Sequence, residues 1–371
     1  MDIESFRKDG EHLKTILEDM GLYKRPGIYT PNLIDDNVTF SLSYPIKAVE
    51  KFLGYHDDKW RIANNPSLSF HTDFSYCFSA CKYVESKNSD SVFVDGEFKK
   101  SYMDKAKHAL DLFRDRYNIS GSFQFFLRRF RRYGNAKGMS ESSAVAASVS
   151  KSLIMNVFGK TASEDEGLVS LWARLVSGSG TRSAVSGLSL WLSYPTQDPE
   201  ESFAMKVGDY PRNLSYGIFP KSSEVRTDSA HVVAKNSSFY EKWVKDKFPA
   251  IQQIIQAKFD TETIMRRAQA DTLNLNAVLL SGGLILQTTE SVNLLRKIME
   301  FQSTHEGLYF NADTGPSIMI SSPDRSLVRE FVDSVDDKFL EGSFNFIDHS
   351  EVLRDFAIES SEHFDSLKAK K

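Results

Sequence analysis

Apolar and polar positions recur along this chain with two different periods, and each change of period marks an element. Over residues 2–21, Ile3, Phe6, Leu13, Ile16, Leu17 and Met20 stand near helical spacing among charged residues, which predicts an amphipathic helix ending before Gly21. Pro26 and Pro31 then interrupt any helix. From Val38 to Ala80 apolar and small polar residues alternate as in paired strands, and SVFVDGEFKK reads as a hairpin turning at Asp95-Gly96. Residues 103–118 predict a helix with Ala106, Leu110 and Phe113 on one face. The basic-aromatic run FQFFLRRFRRY reads as a half-buried strand with a solvated face rather than as an RNA-binding patch. AVAASVSKSLIMNVF and residues 165–176 predict two more helices.

Around Gln197–Glu201 the composition turns polar, as at a hinge. Beyond it, NLSYGIF and AHVVA read as strands, long helical patterns run through 238–271 and 288–302, and LYFNADTGPSIMISS places Asp313 in a turn before a strand. A helix over 325–337 and a strand near FNFID complete an α+β half. The division this suggests is an N-terminal extension over 1–35, a first domain over 36–205 and a second over 206–371.

Composition narrows the function classes. The 371 residues are 41% hydrophobic, enough for a sizeable core, and the net charge of -4 gives no global attraction to nucleic acid or to an anionic membrane. Any phosphate must therefore be held by a local cluster. Cys77 and Cys81 stand as C-x-x-x-C with no second pair, which reads as two reduced core thiols, and no metal site is expected. No signal peptide or membrane span is legible, so the expected location is the cytoplasm.

Candidate chemistry concentrates in four loops. Ser177-Gly178-Ser179-Gly180-Thr181-Arg182-Ser183 interleaves glycines with small hydroxyls, so backbone N–H groups can close on an anion while Arg182 offers a planar fork to a carboxylate or phosphate. Lys51 follows a strand-like segment and precedes Phe52-Leu53-Gly54. Gly134 to Ser143 is a Gly/Ser loop opening an apolar helix, an arrangement suited to phosphate. Asp313 is followed by Gly315 and Pro316, which fix the backbone.

With these residues in place, the sequence resembles the GHMP kinase superfamily and, within it, the diphosphomevalonate decarboxylase branch. YPIKAVEKFLG resembles that branch's APVNIAVIKYWG, with Lys51 at the lysine; SGSGTRS resembles SGSACRS, with Arg182 at the arginine; ADTGPS resembles FDAGPN, with Asp313 at the aspartate. NNPSLS is similar to INSSLS. The resemblance implies an α+β, GHMP kinase-like two-domain fold with the active site in the interdomain cleft. It further implies that Arg182 holds the C1 carboxylate of a phosphorylated mevalonate, that Lys51 and Asp313 sit beside the C3 oxygen, and that Ser177 and Ser179 contact the C5 phosphate end. Tyr55, Lys137, Glu141 and Ser142 complete the expected substrate-binding set.

The departures matter as much. The branch's Trp-Gly-Lys-Arg is Leu53-Gly54-Tyr55-His56 here, so a cation expected near a distal phosphate is missing. The nucleotide loop PTAAGLASSA is GNAKGMSESS, with Glu141 where a small hydroxyl residue is expected. A free carboxylate there would repel the phosphates of ATP by about 1 kcal/mol if exposed to water, and more if dry. The expectation is therefore an ATP-independent decarboxylase of mevalonate 3,5-bisphosphate, as in archaeal mevalonate routes, yielding isopentenyl phosphate, carbon dioxide and phosphate. It would need no cofactor and act as a homodimer. The alternatives are an ATP-dependent diphosphomevalonate or phosphomevalonate decarboxylase using Mg-ATP, a mevalonate 3-kinase, and a non-catalytic GHMP-fold binding protein.

Overall fold

The computed structural model describes residues 1–86, 90–223, 228–346 and 350–368. Helix α1 (Ile3–Asp19) is followed by strands β1 (Val38–Ser43), β2 (Ile46–Glu50), β3 (Tyr55–Asp57), β4 (Ile62–Ala63), β5 (Ser67–His71), β6 (Ser75–Val84), β7 (Ser91–Val94) and β8 (Glu97–Phe98). Helix α2 (Lys100–Tyr117), strand β9 (Ser122–Arg131), helix α3 (Glu141–Phe158), the single turn α4 (Lys160–Ser163), helix α5 (Glu166–Val176) and the short α6 (Gly180–Ser183) come next. Strands β10 (Leu188–Trp191), β11 (Ala204–Gly208) and β12 (Ser215–Phe219) lead to helices α7 (Asp228–Val233), α8 (Tyr240–Gln256), α9 (Thr261–Ser281) and α10 (Thr289–Gln302). The chain continues through β13 (Tyr309–Asn311), β14 (Ile318–Ser322), α11 (Arg325–Ser334), β15 (Leu340–Glu341) and α12 (Ser350–Lys368).

These strands form a five-stranded sheet in the order β1-β6-β9-β7-β8, two four-stranded sheets ordered β11-β10-β5-β2 and β13-β14-β12-β15, and the small β3-β4 pair. Pairing is antiparallel except between β7 and β9. The β7–β8 hairpin turns at Asp95 (φ 53°) and Gly96 (φ 87°), the two positive values that a tight two-residue turn requires. The Phe/Arg run is strand β9, as expected.

Helix α3 is buried on nearly every face, which its Ala/Ser composition permits: small side chains let the sheet and helices α5 and α6 approach closely. Hydroxyls of β1 are satisfied across the interface, with Ser41 Oγ and Thr39 Oγ1 donating to the α3 carbonyls of Ser148 and Ser152. Helix α1 is capped by Asp2, whose side chain accepts from Ser5 N, and it buries Phe6, Leu13 and Leu17. The Phe6 ring stacks on Phe248 of α8, and Gly10 faces Tyr194 so closely that a Cβ would lie 2.1 Å from its ring. The N-terminal segment is thus part of the core rather than a loose arm.

Three expectations need correction. AHVVA is helix α7 followed by a 3₁₀ turn at Ala234–Asn236, not a strand. Ala230 and Ala234, four apart, are both fully buried while Val232 is exposed, a helical distribution that a five-residue apolar run cannot announce. The pattern over 238–271 splits into α8 and α9, because Lys258 and Phe259 take left-handed φ values and Asp260 caps the second helix. The strand expected near FNFID is absent from residues 344–346, and Ile347 and Asp348 lie outside the described residues. Phe344 and Phe346 instead pack their rings on Tyr210, while the pairing strand is β15, beside Gly217 and Ile218 of β12.

Helix α12 had no counterpart in the sequence reading. It lies on the five-stranded sheet, with Phe356 stacked on Phe78 and Phe126, and Arg128 Nε donates to Glu359 at 2.8 Å. Among the described residues no helix is long and apolar enough to cross a membrane. Cys77 and Cys81 are buried, unbridged and in β6, and burial pushes both thiols up, Cys77 to about 12.

Candidate active site

A cleft of about 710 Å³ collects all nine of the residues singled out above: Lys51, Tyr55, Lys137, Glu141, Ser142, Ser177, Ser179, Arg182 and Asp313. Most of its wall comes from the first half of the chain, and His231, Asp313 and Thr314 close it from the second.

Arg182 sits on α6, which begins at Gly180 because helix α3 leaves no space there: a Cβ on Gly180 would lie 2.4 Å from Ala146 Cβ. The guanidinium is 2% exposed, lies 5.6 Å over the Phe52 ring, and donates from Nη1 to the carbonyls of Glu50 (3.4 Å) and Leu68 (3.3 Å). Its Nε has no hydrogen-bond partner among the described residues. Burial pulls its pKa down to about 10, against the opposing pull of Asp313 and Asp271, so it stays cationic at neutral pH.

Asp313 occupies the turn between β13 and β14. Ser140 Oγ donates to its Oδ2 at 3.3 Å, while the buried Oδ1 has no hydrogen-bond partner among the described residues. The turn is positioned by backbone-to-backbone packing: a Cβ on Gly315 would lie 2.5 Å from Gly138 Cα, so the Asp313 loop and the Gly134–Ser142 loop meet glycine on glycine. Gly138 has φ 78°, and Ser317 Oγ donates to Lys137 O, tying the same two loops.

The cation touching Asp313 is Lys47, which sequence reasoning passed over, with Nζ 3.3 Å from Oδ2. Lys51 lies one step deeper: its backbone N donates to Asp271 Oδ2 at 2.9 Å, and its Nζ donates to Thr272 Oγ1 at 3.3 Å and lies 3.5 Å from Asp271 Oδ2. The pairing of β2 with β5 is irregular between Ala48 and Glu50, and this single offset gives Lys47, Glu50 and Lys51 separate charged partners. Burial pushes both lysines below their ordinary value, partly countered by Asp313 for Lys47 and by Asp271 and then Asp313 for Lys51.

Behind this wall lies a buried ionic network. Lys247 bridges Glu50 (2.8 Å) and Asp271, Arg267 Nε lies 3.0 Å from Glu50 Oε1, and Trp243 Nε1 donates to Asp271 at 3.0 Å. Against the effect of burial, Lys247 and Lys51 hold the Asp271 carboxyl below its usual range. Around the inner cleft, Lys47, Lys51, Arg182, Lys247 and Arg267 face Glu50, Asp271 and Asp313, so positive charge is in excess where water is scarce. That imbalance favours an anionic ligand.

At the mouth, the expectation for Glu141 needs correction. Its carboxylate is not free: it accepts from Arg129 Nη1 (3.0 Å) and Arg131 Nη2 (2.7 Å), and Arg129 is also held by Asp95 and by Tyr102 OH. Glu141 stands in the first turn of α3, where the helix dipole also favours a negative charge. It is therefore an internal counter-ion, not a source of bare repulsion. Lys137 is anchored through its backbone, N to Lys221 O at 2.8 Å, with its side chain exposed, and Ser142 is exposed at the rim.

At the opposite end, Ser177 and Ser179 place their hydroxyl oxygens 3.2 Å apart. Gly178 between them lies under Tyr55 and Phe52: a Cβ there would come within 2.4 Å of the Tyr55 hydroxyl. Tyr55 stacks on His231, ring centroids 5.2 Å apart at 14°. His231 was not singled out in the sequence, where it falls in a run read as a strand.

Sequence and fold are shared with known proteins. The diphosphomevalonate decarboxylase-like N-terminal domain family matches residues 43–204. Two relatives described as mevalonate 3,5-bisphosphate decarboxylase, from Thermoplasma acidophilum and Thermoplasma volcanium, are each 50% identical over 98% of this chain, covering 90% and 98% of their own lengths. Among solved structures, mevalonate diphosphate decarboxylase from Enterococcus faecalis matches with a TM-score of 0.70 and 18% identity over 82% of this chain and 96% of its own. Mevalonate-3-kinase from Thermoplasma acidophilum matches with a TM-score of 0.68 and 16% identity over 84% and 96%. The structural likenesses establish a GHMP-type fold, and the identity along nearly the whole length establishes more: the chain belongs to the mevalonate 3,5-bisphosphate decarboxylase family, lyases of the mevalonate pathway within the diphosphomevalonate decarboxylase-like branch.

Proposed function

We propose that this protein converts mevalonate 3,5-bisphosphate to isopentenyl phosphate, carbon dioxide and phosphate, with no nucleotide taking part. The observation that carries the reading is that one cleft is lined by a buried arginine and a buried aspartate, each with a polar atom that has no hydrogen-bond partner among the described residues, inside a surplus of positive charge. In the reaction the C3–O bond to phosphate breaks with its electron pair leaving on the phosphate, the C1–C2 bond breaks, and its electrons form the C2–C3 double bond as carbon dioxide departs. Positive character grows at C3, where the Asp313 carboxylate stabilises it, while Lys51 and Lys47 offset charge gathering on the leaving phosphate. Arg182 orients the carboxylate so that the breaking bond aligns with the emptying orbital at C3. Ser177 and Ser179 take the phosphate at the other end.

Arg129 and Arg131, two of the cations a polyphosphate at the α3 N-terminus would use, are already engaged by Glu141. This supports an enzyme that receives its 3-phosphate preinstalled. The same reading takes the protein to be cytoplasmic and homodimeric, the latter supported by exposed apolar residues Leu280 and Ile285, each 61% accessible; sedimentation at micromolar concentration tests it. The function itself is tested by product analysis. Mass spectrometry and gas release from mevalonate 3,5-bisphosphate should give isopentenyl phosphate, carbon dioxide and phosphate in equal amounts, and formation of an unreacted or merely dephosphorylated product would contradict it.

A further inference from the structure

Ser177 and Ser179 offer a terminal phosphate only hydroxyls, and a phosphate monoester, with about two negative charges at neutral pH, calls for a cation as well. The arginines that line the cleft are Arg61, Arg129, Arg131 and Arg182. Glu141 engages Arg129 and Arg131, and the proposed reaction uses Arg182 for the carboxylate. Arg61 is left over: it makes no hydrogen bond or ion pair among the described residues, not even with Asp58, which lines the cleft with it. We propose that Arg61 is a specificity-determining residue that pairs with the substrate's terminal phosphate, the one remote from the reacting carbon. This rests on the substrate assignment above and names a residue for it.

Arg61 stands just before β4 in the β3–β4 hairpin, and this hairpin packs on the serine turn through Tyr55 of β3, whose hydroxyl lies over Gly178. The backbone on both sides of Arg61 is pinned. Ala63 N donates to Ser193 Oγ at 2.8 Å, Ser193 Oγ donates to Ala63 O at 3.1 Å, and Trp60 N donates to Asp57 Oδ1 at 2.8 Å. The half-buried Arg61 side chain is therefore the uncommitted part of a fixed turn. Lys137, a further cation of the cleft, belongs to the reacting end, because its loop meets the Asp313 loop at Gly138 and Gly315. Arg61 also has φ 49°, a left-handed value at which a side chain is strained and glycine is not. An arginine held at a position that favours glycine points to a use for its guanidinium, whose planar fork can meet two phosphate oxygens at once. A ligand ending in a hydroxyl offers neither the charge nor the second oxygen.

The test compares two ligands on three proteins. For wild type, Arg61→Gly and Arg61→Lys, one measures kcat and KM for mevalonate 3,5-bisphosphate and the inhibition constant of mevalonate 3-phosphate, which lacks the terminal phosphate. Glycine suits the left-handed backbone, so Arg61→Gly removes the cation while keeping the turn, and thermal melting confirms that each protein is folded. The expected result for Arg61→Gly is a KM raised about tenfold or more with kcat within a few-fold, an inhibition constant for the 3-phosphate within about twofold, and partial recovery in Arg61→Lys, which restores the charge without the fork. An unchanged KM for the bisphosphate, or equal weakening of both ligands as a purely structural role or a contact at the reacting end would give, overturns the inference while leaving the proposed reaction standing. A wild type that does not decarboxylate the bisphosphate overturns the proposed reaction and this inference with it.

Discussion

Replacing Asp313 by Asn keeps the shape of the turn but removes the charge proposed to face C3, so kcat should fall about 100-fold or more while KM moves only a few-fold. Steady-state kinetics read the split. Arg182→Ala should act in the other parameter, raising KM roughly 10- to 100-fold as the carboxylate loses a charged fork, and Arg182→Lys should recover little because the two-pronged geometry is gone. The lowered values of Lys47, Lys51 and Arg182 fix the sign of the pH dependence: on the proposed mechanism their protonated forms attract the anionic substrate, and burial makes deprotonation easier. A plot of kcat/KM against pH should therefore decline on the alkaline side at or below pH about 10, the value for Arg182, and a flat profile to pH 11 would contradict this. At this scale, Arg182 and Asp313 were legible because glycines and small hydroxyls mark loops where a ligand can approach. Lys47 was not, because the irregular pairing near Ala48 that separates its partner from those of Glu50 and Lys51 leaves no mark on composition. His231 was hidden in AHVVA, whose apolar run fits either helix or strand.

The loop pair at Gly138 and Gly315 and the first turn of α3 carry the element-scale consequences. Gly315→Ala would drive a Cβ into the Gly138 backbone and displace Asp313, so both stability and turnover should drop, stability by about 1–3 kcal/mol in a denaturant titration. Glu141→Gln should release Arg129 and Arg131 from their internal counter-ion, and calorimetric titration with Mg-ATP should then show binding that the wild type lacks; no binding in either protein would separate nucleotide exclusion from this residue. The helices and strands with clear periods, α1, α2, β9 and the β7–β8 hairpin, were legible with small shifts at their ends. Helix α12 was missed, because its sequence gives no hint that Phe356 and Phe364 are complementary to Phe78 and Phe126, some 230 to 290 positions earlier in the chain. Tertiary contact supplied what local pattern could not.

For the whole molecule, a GHMP-type fold shared with solved mevalonate diphosphate decarboxylase and mevalonate-3-kinase structures carries a cleft whose inner charges favour an anionic ligand and whose outer arginines are already engaged by Glu141. The central claim is that the chemistry survives without the nucleotide. The most direct measurement is the initial rate of carbon dioxide release from mevalonate 3,5-bisphosphate in nucleotide-free buffer, repeated with Mg-ATP added. The account predicts full turnover without nucleotide and no acceleration when it is supplied; carbon dioxide release that begins only on addition of Mg-ATP would contradict it.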